Sequence, residues 1–224
     1  MTIRHHLSDD TLLAYANGTL ASTLSVVAAT HLAICPKCRN QLEFIFAAGA
    51  AELEVLEPDF GSGLDLSIID EITQLPQEAS SIKPENLTLQ TTDEKQVPKP
   101  LRNILPCELD DIPWKRLVPG ISHYPLKGFA NPDGKGALRL LKISPGMVMV
   151  EHSHSGQELT LILRGSYIDE VGRFAQGDLA DLDDNLHHQP VADTDQDCIC
   201  LIATDSPLKF KGFFSRLLQP LIGI

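Results

Sequence analysis

Between Leu75 and Pro106 the chain carries five prolines, at positions 76, 84, 98, 100 and 106, set among Gln, Ser and Thr with no sustained apolar period. Proline removes a backbone donor and fixes φ, so such a stretch cannot run on as one helix or as a central strand. It reads as a linker, and the texture differs on its two sides. Upstream, apolar residues recur at helical spacing. Downstream, short apolar or alternating runs are bounded by Gly, Pro, Asn and Asp, the pattern of an antiparallel sandwich or barrel. We therefore expect a multi-domain α and β protein: a small helical bundle over residues 1–85, a linker over 86–106 and a β-barrel over 107–224. At 224 residues the chain is long enough for two such cores.

The upstream helices have recognisable ends. Ser8 can cap a helix through Asp9, Asp10, Leu12, Leu13 and Tyr15, with Gly18 closing it. A second should run from about Ser22 to Ala33. A third should run from Pro36 to Leu56, with Leu42, Phe46, Leu53 and Leu56 at helical spacing, and a fourth from Asp65 to Leu75. Strands are expected at Leu138–Ile143, Met147–Glu151, Leu159–Leu163, Ser166–Asp169, Asp178–Leu182 and Cys198–Thr204.

Charge narrows the partners. Lys plus Arg number 18 and Asp plus Glu 30, a net of 18 − 30 = −12. Residues 1–85 hold 4 basic and 12 acidic side chains, a net of −8. Such a surface repels a phosphate backbone and suits a basic protein partner, so direct nucleic-acid binding is not expected. No run of about 18 uninterrupted apolar residues is present, and the start lacks the apolar core of a signal peptide; a cytoplasmic location is the expectation. Five cysteines in a reducing compartment point to metal ligands, redox groups or core residues rather than disulfides.

His31, Cys35 and Cys38 form H-x3-C-x2-C, with the histidine at the end of one helix and the thiols at the start of the next. Two thiolates at a helix N-terminus and an imidazole one turn upstream suit zinc, which takes four ligands in a closed site. The fourth can come from His5 or His6; His6 is preferred, although spacing does not separate them. His6 with His31-Leu-Ala-Ile-Cys35-Pro-Lys-Cys38 resembles the zinc-binding domain of bacterial anti-sigma factors. The chain as a whole resembles their cupin-bearing ChrR type, which implies this helical domain, a linker and a C-terminal cupin.

A second constellation lies downstream. His152 and His154, at i and i+2, face the same way on a strand, and Gly156 permits a bulge that returns Glu158 to that face. Gly177-Asp178 followed by His187-His188 resembles the second cupin motif, whose spacing gives His188 as the fourth ligand; Asp183, Asn185 and Ala192 stand where that motif has Pro, Gly and Asn. Three histidines and a glutamate hold several metals, and the resemblance implies zinc. Cys198 and Cys200 read as small residues facing the barrel interior, with oxidisable thiols as the sharper alternative; Trp114 and His123 read as structural, and Cys107 carries no message.

The resemblance implies a protein that is not an enzyme: an anti-sigma factor binding an extracytoplasmic-function sigma factor 1:1. It also implies release by singlet oxygen or a related oxidant, with one zinc in each domain. The alternative from the residues alone is a dioxygenase-like cupin metalloenzyme with a helical docking domain.

Overall fold

The computed structural model describes residues 2–56, 67–76, 97–129, 136–149, 152–153, 156–182, 189–193, 195–206 and 209–210. The chain divides into two compact units, residues 1–46 with 95–224, and residues 47–94.

α1, Asp9–Ala16, begins and ends where its capping chemistry places it. Ser8 accepts the Thr11 N–H, and Asp9 and Asp10 occupy the first turn. The chain leaves α1 through Gly18 at φ +68°, a left-handed conformation that glycine adopts without strain. α2 spans Ser22–Leu32 and α3 spans Pro36–Val55, with the proline in the first turn, where its missing N–H costs nothing. α4 covers Ser67–Gln74, in the second unit. Of the stretch 86–106 that composition assigns to a linker, residues 86–96 lie outside the described residues. The remainder is packed: Val97 and Leu101 are buried, and α5, Lys99–Arg102, lies against α2.

The β region is antiparallel throughout. One six-stranded sheet has the order β1 (Lys115–Val118), β2 (Ile121–Pro125), β3 (Ala137–Ile143), β10 (Cys198–Thr204), β5 (Glu158–Arg164), β8 (Leu179–Leu182). A second has the order β7 (Arg173–Ala175), β6 (Ser166–Ile168), β9 (Val191–Ala192). β4 (His152–Ser153) pairs with β11 (Lys209–Phe210). The strand expected over Met147–Glu151 is reduced, among described residues, to a single bridge from Val148 to Val191.

β10 is buried at every position and β5 at all but its last, because both faces of this sheet are covered. Inward, Leu141, Ile143, Ile162, Phe174, Cys200 and Ile202 fill the barrel. Outward, Leu140, Leu159, Leu161 and Leu201 join Leu24, Val27, Ala28 and Leu32 of α2 in one continuous core. The Thr23 hydroxyl donates to the Thr204 carbonyl at 2.9 Å across this contact. The first 46 residues thus form a layer on the barrel. No helix among the described residues is long and apolar enough to cross a membrane.

Candidate metal centre

Three local structures bring four ligands together. His31 sits in the last turn of α2, and its carbonyl accepts from the N–H groups of Ile34 and Cys35, which turns the chain back at once. Cys35 precedes α3, and Cys38 lies one turn on, so both thiols face the same point. The fourth ligand comes from the extended arm before α1, where His6 Nδ1 lies 3.3 Å from Cys35 Sγ and 3.8 Å from Cys38 Sγ. His31 Nε2 is 3.4 Å from Cys38 Sγ. Tetrahedral zinc with its usual Zn–S and Zn–N bonds sets neighbouring sulfur and nitrogen about 3.6 Å apart. All four donor atoms lie within 4.8 Å of one another, and His31, Cys35 and Cys38 are buried. The residues fit the ion that the sequence pattern implies.

Electrostatics agree with a site that wants a cation. Burial pushes the Cys38 thiol up to about 12. Burial, then the neighbouring His6, lowers His31 to about 4, and burial, then Lys37, lowers His6. The imidazoles are therefore neutral and ready to ligate, whereas the thiol needs a positive charge to release its proton.

His5, the other candidate for the fourth position, is turned away. Its ring packs on Phe174 at 4.2 Å between centroids, and Nε2 lies 3.2 Å from the Arg173 carbonyl. A one-residue step along an extended chain reverses the side chain, so the barrel contact that takes His5 leaves His6 for the cluster.

The second constellation is placed in part. Glu158 opens β5, 2% exposed, with Oε1 accepting from the Thr160 hydroxyl at 3.1 Å. His152 lies on β4, of which the backbone is described; His154 and His188 lie outside the described residues. Cys198 and Cys200 face the barrel core, as small interior residues should. Burial pushes Cys198 up to about 12 and raises Cys200 as well, which keeps both as unreactive thiols. His123 is buried beside Arg139, whose guanidinium donates to Nδ1 at 3.2 Å. Missed by the sequence reading is Asp178, whose buried carboxylate holds the arm that carries His6; Gly-Asp was legible as a motif opening but not as a contact with residues 174 positions away.

A two-Cys, two-His cluster able to hold a metal, in a helical N-terminal segment packed on an antiparallel β-barrel, gives the molecule a mixed α and β architecture. The family description "ChrR Cupin-like domain" matches residues 104–207. The chain is 38% identical to the anti-sigma-E factor ChrR of Cereibacter sphaeroides over 224 residues, covering 100% of both chains. A crystal structure of Rhodobacter sphaeroides SigE in complex with the anti-sigma ChrR matches with a TM-score of 0.72 and 37% identity, covering 91% of this chain and 100% of that one. The chain belongs to the ChrR family of anti-sigma factors, which are regulatory proteins rather than enzymes.

Proposed function

We propose that this chain is a zinc-dependent anti-sigma factor. It binds an extracytoplasmic-function sigma factor 1:1 in the cytoplasm and keeps it from core RNA polymerase. The full-length relation to ChrR carries the reading, and the partner follows from the complex named for that relative. Two features of this chain support it. Residues 1–85 carry a net charge of −8, complementary to a basic partner and useful for steering. α3 and α4 expose Phe44, Phe46, Leu53, Ile69 and Ile72, apolar area of the kind that gives an interface its affinity.

Labour divides as 1–85 for sigma binding and 107–224 for sensing, joined through 86–106. This is a division of roles within a molecule whose first 46 residues pack with the barrel. Zinc at His6, His31, Cys35 and Cys38 staples the binding segment. A second metal, held by His152, His154, Glu158 and His188, reads an oxidative signal, singlet oxygen or a related oxidant, and its loss of the resting state frees the sigma factor.

Co-expression with the extracytoplasmic-function sigma factors of the same cell tests this. One of them should co-purify 1:1 and lose transcription from its own promoters. A chain that silences none and co-purifies with none overturns the reading.

A further inference from the structure

The arm of residues 2–8 has no helix or strand of its own, yet it supplies a metal ligand. An unsupported arm would spend chain entropy each time His6 closed on the ion. Here the barrel holds it on both sides of His6. Asp178, at the turn between β7 and β8 and 2% exposed, accepts the N–H of Arg4 at 2.6 Å and of His5 at 3.0 Å on one oxygen. Its other oxygen takes the Ala175 N–H at 2.9 Å, which fixes the carboxylate in the turn. The Leu179 N–H reaches the His5 carbonyl at 3.3 Å. Beyond His6, Asp181 on β8 accepts the Ser8 N–H at 3.0 Å and the Gln157 amide at 2.8 Å, and that amide also donates to the Thr11 hydroxyl at 2.6 Å.

Contacts beyond the ligands themselves commonly orient a metal site. In this chain the contact on the arm that carries His6 comes from a residue 174 and 173 positions away from Arg4 and His5.

We infer that Asp178 is a positioning residue for the N-terminal metal centre: by clamping the backbone of Arg4 and His5 it presets His6, so that the barrel is part of the outer shell of a site whose four ligands all lie in the first 38 residues. The inference rests on the reading of His6, His31, Cys35 and Cys38 as a metal site. It adds a route between the two halves of the molecule, because β8, which follows directly on the clamp, pairs with β5 from Glu158 onward.

Cobalt loading of the full chain tests it. Thiolate-to-cobalt charge-transfer absorption reports the centre containing Cys35 and Cys38, since the proposed cupin set offers no sulfur. Arg4→Pro removes the clamped donor without touching the barrel, Arg4→Ala keeps it, and Asp178→Ala removes the acceptor. In chelator competition, Arg4→Pro and Asp178→Ala should each weaken cobalt binding about 10- to 100-fold, as losses of outer-shell partners do. Arg4→Ala should bind as the parent does, and the double variant should lose no more than Asp178→Ala alone, because that change already breaks the contact that Arg4→Pro removes. Parent-like affinity in Arg4→Pro, an equal loss in Arg4→Ala, or a double loss equal to the product of the singles overturns the inference. If Asp178→Ala does not fold, the Arg4→Pro and Arg4→Ala pair decides. A parent chain without the charge-transfer band overturns the metal reading itself.

Discussion

Cys38 has no exposed surface and a thiol pushed up to about 12 by burial, so a cation beside it would be needed to favour its thiolate near neutral pH. Ion binding is for that reason folding energy as well, with structural zinc contributing about 10–16 kcal/mol of apparent binding in small peptides. Cys38→Ser should lower the bound zinc by one ion per chain and abolish sigma inhibition; metal analysis beside a transcription assay reads both. Full metal content with normal inhibition would show that Cys38 is not a ligand. His123 gives a second prediction at this scale. Burial, then Arg139 and Lys115, lowers its pKa from 6.5, so the folded chain holds it neutral while the unfolded chain takes up a proton below that value. Its contribution is thus complete above pH 6.5 and lost progressively as pH falls below it. His123→Gln, still able to accept from Arg139, should show a smaller drop in urea midpoint between pH 7.5 and 5.5 than the parent. Equal drops would mean that His123 titrates alike in both states.

Among the described elements, α3 and α4 stand apart because they carry large apolar residues on the surface. Phe44 is 75% exposed and Leu53 69%, while α4 shows Ile68, Ile69 and Ile72. Phe46→Ser and Ile69→Asp should each weaken sigma binding at least about tenfold, as centrally buried interface anchors do. Thermal stability should hold, since exposed positions change it by about 0.5 kcal/mol or less. A calorimetric titration with unaltered affinity in both variants would move the interface elsewhere. Both ends of α1 and the start of α3 were legible because Ser8, Gly18 and Pro36 act through local backbone chemistry. β1 and β2 escaped the apolar pattern: Lys115–Val118 is mostly exposed, and Pro119-Gly120 turns it into a hairpin with too few apolar residues to register. The choice of His6 over His5 was undecidable from spacing, because Phe174 and Asp178, far along the chain, settle which ring faces the thiols. The apolar character of α2 was readable, but not the identity of the sheet it covers.

At the scale of the molecule, that sheet contact bears on what each half can do alone. Leu24, Val27, Ala28 and Leu32 share a core with β5 and β10, and each large side chain among them is worth about 1.5–3 kcal/mol when buried. A fragment of residues 1–85 should still bind the sigma factor and ignore the oxidant. It should also melt at least about 10 °C below the full chain, and recover part of that deficit when the sigma factor is added, because a partner stabilises the state it binds. A fragment as stable as the parent would mean that the α2 contact contributes nothing.

Release imposes a stricter requirement than binding. Driving a bound population from 99:1 to 1:99 takes about 5.5 kcal/mol of difference between the two states of the half proposed to sense the signal. The barrel can deliver such a difference only through elements that touch the binding half, and these begin beside Glu158: Gln157 contacts Thr11, and Asp178, just before β8, and Asp181 on β8 hold the arm. Glu158→Ala removes one oxygen ligand of the proposed cupin centre and leaves His6, His31, Cys35 and Cys38 in place. Sigma-dependent transcription in that variant should stay low with and without the oxidant, while the thiolate-to-cobalt band of the first centre is retained. Normal induction from a chain shown to lack the cupin metal would separate sensing from that metal and leave the ion as a staple of the barrel.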